Sequence, residues 1–232
     1  MVKMQKLGKT VVWGDSVARG VIYDEGRERY VLSKQSAVRS VSAATGTEVI
    51  LRAHMGMTAV QGAELMEKDL EKGLIAEVAL LGFGGNDSDF DWRAISADPY
   101  GNHAPRTPLP LYESVMRRMV RRLKQENTRV FLTTLTPVIA ERYFDFCSRA
   151  GLNREHILAW LGTKERIARF HAAYSCAVER IASEEGCPLI DLYRTFYRQK
   201  NMGALFCVDG AHPNDEGQAL IAETILEALA TA

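Results

Sequence analysis

The segment VVWGDSVARG, residues 11–20, ends an apolar run on a glycine, an aspartate and a serine. The apolar run is typical of a buried strand, and the residues at 14–16 are all ordinary turn formers. One interpretation is that they only form the turn out of the first strand. The other is that the turn holds the Ser16 hydroxyl at the carboxyl end of a sheet, where it attacks a substrate. The rest of the chain has to distinguish the two.

The bulk composition is that of an ordinary globular protein. The chain has 232 residues, of which 47% are hydrophobic and 25% charged, so we predict a single domain over residues 1–232. The 29 basic and 29 acidic residues leave no net charge that would attract nucleic acid or an anionic membrane. The first strand starts too early for a signal peptide, and the four cysteines show no CxxC spacing. We therefore expect a cytoplasmic protein without nucleic-acid or membrane partners.

Short apolar runs rich in β-branched residues alternate with longer segments of helical periodicity. The predicted strands are residues 10–13, 48–52, 77–83, 129–134 and 188–192. The predicted helices lie around residues 27–44, 59–72, 111–125, 164–185 and 216–230. This alternation predicts an α/β fold in which a mainly parallel sheet of roughly five strands is covered by helices on both faces.

Candidate site residues follow four of these strands. They are Ser16 after the first, Gly56 after the second, Asn86 after the third, and the pair Asp209 and His212 beyond the fifth. The carboxyl ends of parallel strands meet at one edge of a sheet, and binding sites lie there, near the topological switch point. We therefore expect these five residues to lie close together.

The residue types at this edge suit nucleophilic catalysis. A serine hydroxyl needs a base within hydrogen-bond reach, and histidine is the natural base near neutral pH. His212 follows Asp209 by three residues in a segment interrupted by glycine and proline, so a loop lets the carboxylate contact one ring nitrogen while the other faces Ser16. The alternative is that Asp209 closes a turn and His212 caps the last helix. Asn214 is the better cap candidate.

Acyl transfer also needs hydrogen-bond donors for the oxyanion that develops on the substrate. The backbone N–H of Ser16, the backbone N–H of Gly56 and the side-chain amide of Asn86 are the candidates. The alternative for Gly56 is an ordinary turn glycine, and for Asn86 a left-handed turn residue after two glycines.

The segments GDS at 14–16, Gly56, GGND at 84–87 and DGAHP at 209–213 together resemble the four sequence blocks of the SGNH (GDSL-type) hydrolases. The resemblance extends from residue 11 to about residue 217. It implies a three-layer α/β/α sandwich of the flavodoxin-like class and hydrolysis of carboxylic esters. It also implies Ser16 as nucleophile, His212 as base, Asp209 as its orienting acid, and an oxyanion hole formed by Ser16, Gly56 and Asn86. The second block is reduced to its glycine. The GxSxG motif of α/β-hydrolases is absent.

The segment NDSDFDW, residues 86–92, has aspartates at alternate positions, as a calcium loop does. The positions that such a loop fills with glycine and glutamate hold Trp92 and Asp98 instead. HExxH and phosphate-loop motifs are absent from the sequence. We expect a solvated acidic loop, no metal and no cofactor.

Two long connections, residues 88–110 and 138–162, leave the same edge of the sheet, and connections of this length are usually functional. The second is either a helical flap on the core or a wall of the substrate pocket. The candidate pocket residues are Arg142, Tyr143, His156 and Trp160. Their mixture of aromatic and polar side chains favours a small-molecule substrate, an acetyl or other short-acyl ester of a small or carbohydrate-like alcohol. The alternatives are a lysophospholipase or thioesterase of the same family, and a binding protein that keeps the fold without catalysis.

Overall fold

The computed structural model describes residues 7–149 and 151–231; residues 1–6, 150 and 232 of the predicted domain lie outside the described residues. The strands are β1 Thr10–Gly14, β2 Val21–Asp24, β3 Arg29–Leu32, β4 Val49–Ala53, β5 Val78–Gly82, β6 Arg129–Thr133 and β7 Leu189–Ile190. The helices are α1 Ser16–Arg19, α2 Ala37–Thr45, α3 Ala59–Glu71, α4 Trp92–Ala97, α5 Leu109–Gln125, α6 Ala140–Cys147, α7 Arg154–Leu161, α8 Glu165–Glu184, α9 Leu192–Tyr197 and α10 Asp215–Thr231. Among the helices of these two ranges, none combines the length and apolar character that a bilayer crossing requires.

Five strands form one parallel sheet in the order β4-β1-β5-β6-β7. Counted along these five strands alone, the order is 2-1-3-4-5, the flavodoxin-like arrangement, and the predicted fold class is confirmed. Gly14 at the end of β1 is in register with Ala53 of β4 on one side and Gly82 of β5 on the other. The chain runs from β1 to β4 in one direction and on to β5 in the other. The topological switch point therefore lies directly beyond Gly14.

Side chains that alternate along the strands fill a core on each face of the sheet. On β5, Ala79 and Leu81 pack against α3, α5 and α8, whereas Val78 packs against α2 and α10. The ion pairs Arg117–Glu184 and Arg121–Glu185 join α5 to α8 at the surface. The result is a three-layer sandwich in which the loops that follow the parallel strands lie at one edge of the sheet.

The predicted helix over residues 27–44 is partly wrong. Residues Glu25–Arg27 form a 3₁₀ turn, and β3 pairs antiparallel with β2 in a hairpin before α2 begins at Ala37. The hairpin turn is fixed by the Asp24 carboxylate, which accepts a hydrogen bond from the Arg27 amide at 3.1 Å, and by Glu28 in the left-handed region at φ +48°. The RYVL sequence of β3 satisfies its backbone across the hairpin, a pairing that the periodicity of one segment does not report.

The two long connections are helical and pack on each other. Residues 88–110 contain α4, and residues 138–162 contain α6 and α7. His156 Nδ1 of α7 lies 2.8 Å from the backbone oxygen of Ser96, and the Asn153 amide donates to the Ser96 hydroxyl at 2.7 Å. The shared apolar cluster comprises Phe90, Trp92, Ile95, Val138, Phe144, Ile157, Leu161 and Ile167. The connections thus form one helical unit above the carboxyl edge of the sheet.

Candidate active site

Ser16 stands on a tight turn from β1 into α1. The Asp15 carboxylate caps this helix by accepting a hydrogen bond from the Val17 amide at 2.9 Å. A Cβ on Gly14 would lie 2.7 Å from the Ala18 Cβ and 3.0 Å from a backbone oxygen of β5, so the close approach requires glycine. Ser16 itself is buried, with 6% of its surface exposed. The turn therefore fixes the Ser16 hydroxyl in one place.

The hydroxyl of Ser16 is joined to a histidine and a carboxylate. His212 Nε2 lies 2.8 Å from Ser16 Oγ, and His212 Nδ1 lies 2.6 Å from Asp209 Oδ2. Asn214 accepts a hydrogen bond from the Gly217 amide at 3.0 Å and so caps α10, which leaves the histidine free of that role. Both ring nitrogens of His212 are used within this chain of hydrogen bonds.

Asp209 is almost fully enclosed, at 1% exposed. Its Oδ1 accepts hydrogen bonds from the amides of Ala211 and His212, both at 3.0 Å. Burial raises the pKa of Asp209, but the hydrogen bonds from the His212 ring and from these two amides outweigh it and hold the pKa below its ordinary value. Asp209 is therefore ionised at neutral pH, beside a histidine that it can stabilise in the protonated form.

Gly56 and Asn86 line the same cavity as Ser16 and His212. Asn86 Nδ2 donates to the Met57 backbone oxygen at 3.2 Å and lies 3.5 Å from Asp15 Oδ2. Gly56 has φ +77°, a conformation that favours glycine, and a Cβ there would contact nothing within 4 Å. The structure thus brings together all five residues that follow the strand ends.

The aspartates of residues 86–92 bind different protein groups. Asp87 is fully buried and accepts hydrogen bonds from the Ala59 amide at 2.9 and 3.0 Å, which fixes the start of α3. Asp89 accepts from the Trp92 indole at 2.9 Å, and Asp91 caps α4. Burial raises the pKa of Asp87 to about 6. The expected solvated acidic loop is therefore wrong at Asp87, which is buried, and the three carboxylates each bind a different protein group.

A cavity of about 620 Å³ opens at Ser16. Its polar edge includes Ser16, His212 and Asn86, and most of its remaining lining is aliphatic or aromatic. Six of the apolar lining residues are Phe90, Trp92, Val138, Phe146, Ile167 and Phe170. Because these residues come from both long connections and from α8, the helical unit above the sheet edge closes the cavity on one side.

The four candidate pocket residues are placed differently from one another. Tyr143 lines the cavity. Arg142 is turned away from it, and its Nη1 donates to the backbone oxygen of Gly203 at 2.8 Å. His156 links α7 to α4, as described above. Trp160 stacks on Phe170 and borders a neighbouring hollow of about 440 Å³. Arg142, His156 and Trp160 therefore lie outside the cavity lining. Backbone carbonyls bind the polar atoms of Arg142 and His156, and Trp160 packs on Phe170.

Two residues of this cavity carry no signal in the sequence. Tyr30, on the hairpin strand β3, lines the cavity and donates its hydroxyl to Asp209 Oδ2 at 3.0 Å. His171, on α8, also lines the cavity and is 8% exposed. Burial lowers the pKa of His171 to about 4, so its ring is neutral over the physiological range. A lone tyrosine in a segment of helical periodicity and a lone histidine on a helix give no local pattern from which either position could be predicted.

Comparison with known proteins gives the family. The sequence model of the GDSL-like lipase/acylhydrolase family matches residues 12–220. The GDSL esterase/lipase CPRD49 of Arabidopsis thaliana is 24% identical over 194 residues, which cover 82% of this chain and 69% of that protein.

Solved structures show the same fold at low sequence identity. A lipase/acylhydrolase from Enterococcus faecalis aligns with a TM-score of 0.67 and 21% identity over 95% of this chain and 94% of that chain. A variant of Axe2, an acetyl-xylooligosaccharide esterase from Geobacillus stearothermophilus, aligns with a TM-score of 0.64 and 19% identity over 98% and 96% of the two chains. Since the family model covers most of the sequence, the chain belongs to the GDSL-like lipase/acylhydrolase family and is a carboxylic ester hydrolase.

Proposed function

We propose that the enzyme hydrolyses its ester through an acyl-enzyme formed on Ser16, with His212 as general base and Asp209 as the group that orients it. The observation that carries this proposal is the unbroken chain from Ser16 Oγ to His212 Nε2 at 2.8 Å and from His212 Nδ1 to Asp209 Oδ2 at 2.6 Å. The chain of hydrogen bonds ends in a cavity of a size typical of small-molecule sites, about 300–1,000 Å³.

In the first step, Ser16 Oγ attacks the carbonyl carbon of the ester while its proton moves to His212 Nε2. The negative oxygen of the tetrahedral intermediate is bound by the backbone N–H groups of Ser16 and Gly56 and by Asn86 Nδ2. Collapse of the intermediate breaks the bond to the alcohol, which leaves with the proton from His212. Water then attacks the acyl-Ser16 ester by the same route and releases the carboxylic acid. Asp209 stays ionised throughout and stabilises the imidazolium.

The cavity supports an apolar acyl group larger than acetyl. An acetyl group would occupy a small part of about 620 Å³, whereas the aromatic and aliphatic lining suits a longer chain. In this proposal the connections 88–110 and 138–162 supply the wall, with Tyr143 among its residues, and the whole chain acts as one catalytic domain. An acyl ester or thioester with a polar leaving group is the substrate class.

The second candidate is the short-acyl ester of a carbohydrate-like alcohol. It is favoured by the names of two proteins of similar fold, the acetyl-xylooligosaccharide esterase above and an acetyl xylan esterase that aligns with a TM-score of 0.64 at 20% identity. The two candidates share the same chemistry at Ser16. In the first the acyl chain supplies most of the binding energy, and in the second the carbohydrate-like alcohol does.

The test of the mechanism is Ser16→Ala, with Ser183→Ala, an exposed position on α8, as the matched control. We expect hydrolysis of p-nitrophenyl acetate to fall at least about 10⁴-fold in Ser16→Ala and to stay at the wild-type rate in the control. A fluorophosphonate probe should label wild type and the control and leave Ser16→Ala unlabelled. Equal rates above buffer for wild type and Ser16→Ala would show that Ser16 is not the nucleophile.

The test of acyl length is a series of p-nitrophenyl esters from acetyl to octanoyl, read as kcat/KM. Each CH₂ that the cavity accommodates contributes up to about 0.8 kcal/mol, or about fourfold in kcat/KM. A rise that continues beyond butyryl is the expected result. A fall beyond butyryl would favour the short-acyl candidate and overturn the assignment of the cavity to the acyl chain.

A further inference from the structure

Tyr30 reaches the catalytic loop from a distant part of the chain. Its hydroxyl donates to Asp209 Oδ2 at 3.0 Å, the same oxygen that contacts His212 Nδ1 at 2.6 Å. The Tyr30 ring lies beside the His212 ring, with 5.0 Å between the ring centroids. The hydroxyl therefore acts on the oxygen that faces the base.

A carboxylate has about four lone-pair directions for hydrogen bonds. Those of Asp209 are filled by the Ala211 amide, the His212 amide, the His212 ring and the Tyr30 hydroxyl. Three of the four donors belong to the loop that carries Asp209 itself. Within residues 7–149 and 151–231, Tyr30 supplies the one donor from elsewhere in the chain. Because Asp209 is 1% exposed, bulk water does not replace that donor.

The hairpin holds Tyr30 firmly against the loop. Tyr30 is the cross-strand partner of Tyr23, and their rings meet edge to face with centroids 5.2 Å apart. The Tyr23 amide lies 3.3 Å from Cys207 Sγ, which joins the hairpin to the segment that leads into the loop. Burial, and then the charge of Asp209, raise the pKa of Tyr30 well above its ordinary value. Tyr30 thus keeps the proton that it donates.

We infer that Tyr30 is a positioning residue, whose hydroxyl holds the Asp209 carboxylate in the orientation that His212 needs and shares its negative charge. The inference rests on the proposed function of Asp209 and His212. Without this donor the carboxylate keeps three hydrogen bonds, all from its own loop. Its charge is also less dispersed, so that it binds the imidazolium more strongly and makes His212 give up its proton less readily.

The experiment compares Tyr30→Phe with Tyr23→Phe. Both substitutions remove one hydroxyl and keep a ring in the same hairpin, and of the two hydroxyls it is that of Tyr30 that binds Asp209. The measurements are kcat and KM for p-nitrophenyl acetate, and the rate of fluorophosphonate labelling as a function of pH. Asp15, whose charge also interacts with His212, is the same in both variants.

For Tyr30→Phe we expect kcat to fall about tenfold with KM within about twofold, as for the loss of one hydrogen bond to a charged group. We also expect the acid limb of the labelling profile to move to higher pH. Tyr23→Phe should match wild type in both. An unchanged kcat and an unmoved acid limb in Tyr30→Phe would overturn the inference. So would a loss of activity that follows a lower melting temperature without a shift of the limb, since that indicates a structural role alone.

The outcomes separate this inference from the proposed function. If Ser16→Ala loses activity and labelling while Tyr30→Phe behaves as wild type, the mechanism stands and the role of Tyr30 falls. If Ser16→Ala keeps both activity and labelling, the proposed mechanism itself is wrong.

Discussion

Two histidines line the same cavity in opposite electrostatic settings. His212 sits on a loop and has a partner at each ring nitrogen, Ser16 on one side and Asp209 on the other. His171 sits on α8, and among the described residues its buried Nδ1 has no hydrogen-bond partner. Burial alone lowers the pKa of His171 to about 4. Burial disfavours a charged imidazolium, whereas a neighbouring carboxylate favours it.

The local backbone explains why His212 has a carboxylate partner and His171 has none among the described residues. In α8 the main-chain amides are used by the helix, so no free N–H is available to hold a carboxylate beside His171. The loop that carries His212 leaves two amides free, and both bind Asp209 Oδ1. The loop thus supplies backbone donors for a carboxylate beside its histidine, and the helix does not.

The largest effect is expected from replacing the partnered histidine. His212→Ala should lower kcat at least about 10⁴-fold, because Ser16 then lacks the base that the proposed mechanism assigns to it. His156→Ala, a histidine outside the cavity, is the control and should keep the wild-type rate. Steady-state hydrolysis of p-nitrophenyl acetate measures both. A His212→Ala enzyme within tenfold of wild type would show that His212 does not differ in function from the other histidines.

A smaller fall in kcat is expected from replacing Asn86, which lines the same cavity as His212. Asn86→Ala removes one oxyanion donor and should lower kcat about 10²- to 10³-fold, or about 2.7–4 kcal/mol. The pH dependence of fluorophosphonate labelling should keep the wild-type acid limb, since the base is untouched. A shifted limb would mean that Asn86 acts through His212 and not on the substrate oxygen. The melting temperature controls for the lost contact with the Met57 oxygen.

The third prediction concerns stability and tests the unpartnered histidine. The pKa of His171 is about 4 when folded, against an ordinary value of 6.5, so between pH 6.5 and 4 the unfolded chain binds a proton that the folded chain does not. Its contribution to stability is therefore lost as pH falls through that window, by about 3 kcal/mol at most. His171→Leu should lack this loss. Urea unfolding at pH 7 and pH 4.5 measures it.

Asp15 and Asp87 have the opposite effect on the pH dependence of stability, and they contribute equally in wild type and in His171→Leu. Burial raises the pKa of Asp15 and of Asp87 to about 6, so the folded chain binds protons first as pH falls below that value and gains stability. The difference between wild type and His171→Leu cancels their contribution. Parallel pH dependences in the two proteins would mean that His171 titrates as freely in the folded chain as in the unfolded one.

The sequence by itself determined the parts of the fold that local patterns encode. The helices α3, α5, α8 and α10 lie within two residues of their predicted limits, because the apolar stripe of an amphipathic helix repeats at a fixed interval. The meeting of Ser16, Asn86 and His212 at one edge follows from the alternation of strands and helices. In a parallel sheet the carboxyl ends of the strands must share that edge.

Only the tertiary structure decided which residues of distant segments come into contact, because no local sequence pattern marks them. The segment around Tyr30 has helical periodicity, and its pairing with β2 and contact with Asp209 depend on a hairpin that forms across the chain. The directions of Arg142 and His156 depend on which carbonyls lie nearby, and the size of the cavity depends on how two connections pack. These are properties of side-chain direction and packing between segments far apart in the chain, which the order of residue types along one segment does not contain.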